Sequence, residues 1–536
     1  MVKPAVTMKP NPCVYAIQRL FFFAAFLLLA FTIRAQNIRV TYSKEFSIRD
    51  ALSLSEGTYK IGSFYYRMQV EEREASEDAI SLKGVKFGIN LYQYDESMKE
   101  LKKTELGGHK EKFGPFYPKI VWFNNRLLLF YFKVQDDDNI KLLLAGIDTA
   151  SLTVTGTTEL YTIPGENASR QLASSRQRLH TCISPDGSKL LVAGSDNISS
   201  LFSCTIAGDA ITDRQTLPIA NMKAFEAGNV FIDNSGNKYI AYKYMDKVAE
   251  RGIVMQNGQG NPKWLHFTTG QTGTWVNDIY FKGSADNTKT YLYANYYHDH
   301  LNDGVLLATA DARNFSINNI QIFPYPDSLK KELADAGYGQ KVKDSYTVTK
   351  IDYQFTELEN GTVALTGYPT FIEAFMLTRP AGTSAVGTTI PSFSSSGTKA
   401  GAGAIINIFI KDGKSIFTNI ARRQSETDAA GCIVFGYKND LVCIYNESRL
   451  ALQPNGYDGR TIGNPAGLIL AQAVTGGDGT VLSTKKIAEA PAKNYFFTAA
   501  YRALPGNAWL VPVGRVRMNL AEIYTEVLQW VTLEVE

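Results

Sequence analysis

Residues with recognisable chemistry are scarce in this chain. Of 536 residues, five are cysteine and five are histidine. No Cys-x-x-Cys pair occurs, which removes the common zinc and thiol-redox motifs. No Gly-x-Ser-x-Gly elbow occurs, which removes that class of serine hydrolase. The one glycine-rich stretch, "GAGAII" (401–406), lacks both the Lys-Ser/Thr and the preceding strand of a phosphate loop. "DDDN" (136–139) and "DNSGN" (233–237) offer oxygens without completing a calcium-loop pattern, and they read as turns. Repeated Ser-x-Asp-x-Gly boxes of the sialidase type are not evident. No cofactor is implied.

Charge of one sign is also lacking. Lysine and arginine number 55 against 52 acidic residues, a net +3. Residues 1–36 hold four basic residues (Lys3, Lys9, Arg19 and Arg34) and no acidic one, so residues 37–536 carry 51 against 52, or −1. A nearly neutral chain has no global electrostatic attraction to nucleic acid or anionic lipid.

Those first 36 residues have the layout of a secretory signal peptide. A basic flank precedes the apolar run Leu20 to Ile33, and "RAQN" follows. Spanning a bilayer takes about 20 apolar residues, and this run has 14. Cleavage near Ala35 is therefore expected, leaving a product with no stable membrane insertion. Cys13 precedes the run, which argues against a lipoprotein anchor. The compartment expected is exported: periplasmic, cell-surface or extracellular. The four remaining cysteines, Cys182, Cys204, Cys432 and Cys443, are expected as buried free thiols. A domain of this size buries a core without staples.

What the chain does contain is a repeat. "CISPDGSKLLVAG" (182–194) sets two apolar runs around a Ser-Pro-Asp-Gly turn. The pattern returns with other turn residues in "IVWFNNRLLLFY" (120–131), "VFIDNSGNKYIAYK" (230–243), "FTELENGTVALTG" (355–367), "IVFGYKNDLVCIY" (433–445) and "YRALPGNAWLVPVG" (501–514). Asn, Asp and Gly tolerate positive φ or bond their own backbone, and so join antiparallel strands. A second, wetter hairpin follows several of these, as in "KLLLAGIDTASLTVTGTTEL" (141–160) and "GVLLATADARNFSINNIQIF" (304–323). The unit is four strands with a polar last strand. One such sheet cannot bury both faces, so the units must stack. Stacking around an axis gives an all-β fold, a single β-propeller over residues 37–536.

Seven units begin near residues 57, 119, 182, 229, 276, 353 and 432, and an eighth hairpin is "YRALPGNAWLVPVG". Eight blades are favoured over seven, with the ring closed by the N-terminal segment "IRVTYSKEF" as the outer strand beside "VRMNLAEIYTEV" (516–527). The polar stretch 381–404 reads as a flexible loop insertion in the sixth unit. "YPDSLKKELADAGYGQ" (325–340) reads as a short helix between the fifth and sixth units, with Asp327 or Ser328 as N-cap.

"SPDGSKLLVA" resembles the repeat of TolB-type and WD40-like bacterial propellers. The wider pattern, with an aromatic hairpin ending in "YN" (445–446), resembles uncharacterised exported β-propeller proteins of Gram-negative bacteria. That resemblance implies fold and compartment and brings no activity. The eight-bladed quinone-cofactor dehydrogenases carry a tryptophan motif in most blades; five tryptophans in all depart from that pattern.

One candidate metal constellation remains, "YYHDHLNDG" (296–304). On a strand, His298 and His300 share a face, as two ligands of one metal must, and Asp303 in a following turn could swing back. A site wants three or four ligands, so a solvated pair is the expectation and no metal is assigned. The function expected is a non-catalytic module of the bacterial cell envelope that binds a protein or glycan ligand. The alternative is a propeller enzyme of glycan hydrolase or lyase type, with acids from several blades meeting at the channel mouth.

Overall fold

The computed structural model describes residues 37–535 in segments, leaving out 1–36, 50–57, 74–85, 107–117, 164–178, 196–199, 219–224, 245–250, 268–272, 422–430, 449–467 and some shorter stretches, among them His300. The chain folds as an eight-bladed β-propeller of antiparallel four-stranded sheets. The first strands of the blades are Thr58–Ile61, Lys119–Phe123, His180–Ile183, Phe225–Ile232, Thr274–Gly283, Ile351–Glu357 and Cys432–Tyr437, with Tyr495–Phe496 and Arg502–Leu504 sharing that place in the eighth. First strands of neighbouring blades touch one another (blade 3 to 4, 4 to 5, 6 to 7), so they form the inner wall of the ring.

Eight buried clusters account for the eight interfaces of this ring. One joins blade 1 to blade 2 through Leu91, Ile89, Leu127 and Leu129. Others join 2 to 3, 3 to 4, 4 to 5, 5 to 6, 6 to 7 and 7 to 8. The last joins 8 back to 1, packing Tyr65 and Tyr92 against Phe497, Leu510 and Trp530. Each sheet thus buries both faces, while the last strands stay wet. Ala210–Pro218 shows this plainly, alternating exposed and half-buried residues along its whole length.

Polar side chains at equivalent places tie each blade to the next. In the second half of the second strand, Ser195 accepts from Ala227 N (3.4 Å), Asn295 donates to Ile351 O (2.9 Å), and Asn446 donates to Phe496 O (2.5 Å). All three are buried. Asn446 is the asparagine of the "YN" that closes the seventh hairpin. On the inner wall, Tyr59, Asn229 and Gln354 donate to Ile120 O, Ile279 O and Cys432 O of the following blade.

Ring closure follows the expected scheme, with a corrected partner. Ile38–Tyr42 pairs antiparallel with Val531 to Val535, and Ile48–Arg49 pairs with Glu526 and Val527. The partner strand is Ile523–Val535; residues 516–518 belong to the preceding strand, Ala508–Met518. Pro512 and Gly514 suggest a strand end in the sequence, yet the strand continues through a bulge at Val513/Gly514. Pro512 has no N–H to give, and its carbonyl accepts from Phe497 N.

Within the stretch expected as a loop, 393–402 forms a strand paired with 370–379 of Val363–Arg379. The expected helix, α1 (Asp327–Asp335), stands between blades 5 and 6 and buries Leu329 and Leu333. The four cysteines among the described residues are free; Cys204, Cys432 and Cys443 are buried, and Cys182 is half-buried. Among the described residues, no helix is long and apolar enough to cross a membrane.

Candidate functional site

A concavity rich in polar groups lies between blades 4 and 5, where their first hairpin turns meet the last turn of blade 5. It has a volume of about 630 Å³ and is walled by Asp233, Asn287, Lys289, Tyr291, Asp311 and Arg313 with neighbouring polar residues. Each wall is a turn locked by its own hydrogen bonds. In blade 4, Asp233 accepts from Asn237 N (2.8 Å) and Asn237 Nδ2 (2.7 Å). This is the "DNSGN" turn, and its carboxylate is committed to the turn.

In blade 5 the turn is "SADNTK" (284–289). Ser284 donates to Asp286 (2.6 Å), and Asp286 accepts from Thr288 N and Oγ1 (3.0 and 2.8 Å). These donors push the Asp286 carboxyl down to about 2. The same geometry holds "SPDGSK" (184–189) in blade 3, where Ser184 and Ser188 donate to Asp186 and its carboxyl also falls to about 2. The two turns are copies: Ser-x-Asp-x-Ser/Thr-Lys. The second is hidden in the sequence because asparagine replaces glycine at the left-handed position, with φ 57° at Asn287 against 73° at Gly187. Asparagine is several-fold enriched there among non-glycine residues.

The third wall is the turn at 312–315 with the start of the strand Ser316–Pro324, where Asp311 accepts from Arg313 N (2.9 Å) and Asn314 Nδ2 (2.7 Å). Asn319 donates to Thr309 (3.3 Å), and Ala312 N donates to the buried Tyr239 hydroxyl of blade 4 (3.4 Å). That last bond spans the two blades.

A second cluster sits on the inner wall between blades 5 and 6. The Lys350 ammonium bridges Asp278 (2.8 Å) and Asp352 (3.1 Å). Asp278 has φ 49° in a bulge of the first strand, between Asn277 and Tyr280. Burial alone would lower the Lys350 ammonium, but the two carboxylates raise it above its ordinary value. The Tyr280 hydroxyl, 3.5 Å from Asp352, is raised by burial and by the charges of Asp352 and Asp278. No sequence spacing could have shown this pair, because the residues come from different blades. With Lys350 between them, the carboxylates are charge-compensated and tied to the blade interface.

Of the three candidate metal ligands, His298 and Asp303 are among the described residues. The second strand of blade 5, Thr290–His298, ends at His298, and Asp299 turns the chain with φ 47°. His300 lies outside the described residues. Asp303 stands in the next strand, Leu301–Asp311, rather than in a turn, and its Oδ1 receives Lys330 of α1 at 3.0 Å. The His298 side chain is 53% exposed, with Nε2 3.9 Å from Asp299. Among the described residues no three His, Cys, Asp or Glu side chains gather as a metal site.

No family model matches the chain, and no curated protein does. Similar solved structures include the WD40 domain of SCAP from fission yeast, at 10% identity over 93% of this chain and 98% of that one, with a TM-score of 0.37. A quinohemoprotein alcohol dehydrogenase from Pseudomonas putida HK5 shows 8% identity over 92% and 76%, with a TM-score of 0.37. A GH43 β1,3-galactosidase shows 12% identity over 51% and 95%, with a TM-score of 0.25. At these identities and scores, none of them indicates what this chain does.

Proposed function

We propose that this protein is an exported, non-catalytic propeller of the bacterial cell envelope that binds a protein or glycan ligand. The observation that carries the binding role is the groove between blades 4 and 5, a polar concavity whose three walls are fixed before any ligand arrives. A preformed site loses little freedom on binding, so more of its contact energy appears as affinity. On the inner wall, Asp278 and Asp352 are both engaged by the Lys350 ammonium, at 2.8 and 3.1 Å, within the interface between blades 5 and 6. Export rests on the leader-like residues 1–36.

The test has two parts. The N-terminus of material recovered from the cell envelope should begin near Gln36; a start at Met1 in a membrane pellet would refute export. Purified protein should bind a glycan saturably, or be photo-cross-linked in living cells to one partner. Turnover of a glycan that Asp278→Asn or Asp352→Asn abolishes would refute the non-catalytic reading and establish the enzyme alternative.

A further inference from the structure

We infer that the groove between blades 4 and 5 is a subsite for a neutral, polyhydroxylated glycan, an inference that rests on the binding role proposed above. Three features of the walls point to that ligand class. The first is charge balance. Asp233 and Asp311, two carboxylates, and Lys289 and Arg313, two cations, line one space of about 630 Å³. Both carboxylates already accept hydrogen bonds from their own turns. The walls therefore present no net charge to select an anion or a cation.

The second is hydrogen-bonding type. Ser235, Asn287, Thr288, Asn318 and Asn319 line the groove and are exposed. Hydroxyls and amides both donate and accept, as the hydroxyls of a sugar do, whereas a row of lysines or of carboxylates could satisfy only half of each contact. The half-buried Tyr291 adds an aromatic ring to this lining. Its hydroxyl is held by Glu357 of blade 6 at 3.0 Å, which fixes the ring.

The third feature separates a glycan from a peptide. Peptide-binding grooves gain most of their affinity from apolar anchors in dry pockets. The hydrophobic side chains lining this groove are Tyr239, which is 2% exposed, Ala310, which is buried, and Tyr291. No leucine, isoleucine, valine, phenylalanine or methionine is among the lining residues. The size also suits the task, since small-molecule sites span roughly 300–1,000 Å³.

The test is a titration panel with the full chain. Neutral hexasaccharides (cello-, xylo-, manno- and chitohexaose) are compared with oligogalacturonate, a hyaluronan oligomer and a peptide library. Two variants remove groove contacts while keeping the turns: Asn287→Gly, which suits the left-handed backbone, and Arg313→Ala. A third, Asp209→Ala, lies in a different groove between blades 2 and 3. Thermal melts confirm that each variant is folded.

The expected result is saturable binding of at least one neutral oligosaccharide. Each groove variant should weaken it by about tenfold, the loss of one good hydrogen-bonding contact, and Asp209→Ala should leave it unchanged. Neutral-glycan binding that survives both groove variants would overturn the assignment of the subsite while leaving the binding role intact. Binding confined to the acidic oligomers or to peptides would overturn the ligand class alone. The absence of all binding, with no cross-linked partner in cells, would overturn the binding role itself.

Discussion

Lys238 offers the sharpest test of how the blades are held together. It is 2% exposed, and its ammonium donates to Asp213 on the outermost strand of blade 3 and to Gln256 of its own blade (3.2 Å). Gln256 Nε2 closes the triangle on Asp213 Oδ2 at 3.0 Å. The Asp213 side chain is 8% exposed. Lys238→Met keeps most of the aliphatic stem, so the change in packing is small and the effect is electrostatic. Removing one member of a buried pair strands the other in low dielectric and costs about 3–5 kcal/mol. Replacing both, as Lys238→Met with Asp213→Leu, removes the stranded charge and should restore stability to within about 1–2 kcal/mol of the parent.

Urea melts followed by tryptophan fluorescence would measure this, and pH supplies an internal check. Burial alone would raise the Asp213 carboxyl, but the Lys238 ammonium holds it below the ordinary carboxylate value. In the parent, its contribution is therefore present above the unfolded carboxylate range and lost as pH falls through the lower folded value. In Lys238→Met, burial is opposed only by the amide donors of Gln215 and Gln256, so the carboxyl moves up from its place in the parent. The penalty should then be full at pH 7 and shrink toward about pH 4, near the ordinary carboxylate pKa, as Asp213 takes a proton. A single variant that costs less than about 1 kcal/mol, or a double variant whose cost is the sum of the singles, would refute the buried-pair account.

Three further outcomes are expected. Asn446→Leu leaves the Phe496 carbonyl without its blade 7 donor and should cost about 1–3 kcal/mol; a change within 0.5 kcal/mol, about the size expected for an ordinary surface substitution, would contradict the clamp role. Deleting residues 37–45 should lower the melting temperature and solubility, because it bares the edge of Ile523–Val535; a truncation that melts and dissolves like the parent would disprove closure by the chain ends. Burial pushes the Cys204 and Cys443 thiols up to about 12, so both should resist Ellman's reagent at pH 8 until the protein unfolds, whereas rapid labelling would show that the interfaces open.

The architecture was readable because it rests on local chemistry. Each first strand begins within about five residues of the expected unit start, since strand alternation and turn residues are encoded in short windows. The choice of eight blades rested on "YRALPGNAWLVPVG" and was right for that reason. The exact closing partner was not readable, because Pro512 and Gly514 signal a strand end and a bulge with the same residues. The groove was only half legible. "SADNTK" repeats "SPDGSK" at four of six positions if threonine is allowed for serine, and a search tolerant of asparagine at the left-handed site would have found it. That this turn faces Asp311 and Arg313 across a cavity depends on how the blade folds back on itself. The Asp278–Lys350–Asp352 bridge and the Lys238–Asp213 pair depend on which blades are neighbours. Neither leaves a pattern along the chain.

The pairing of Ile38–Tyr42 with Val531 to Val535 sets a clock on biosynthesis. The first strand to emerge cannot find its partner until roughly 500 residues later, which at about 5–20 residues per second is some 25–100 s. Through that interval seven sheets can form and stack while both ends of the arc remain open. The faces that later pack Tyr65 against Trp530, and Ile38 against Val511, stay wet. The nascent arc is thus a sticky object with a fixed lifetime, and its yield should depend on how quickly the last dozen residues arrive. Slowing translation over codons 520–535 alone, with no change to the protein, should increase the aggregated fraction.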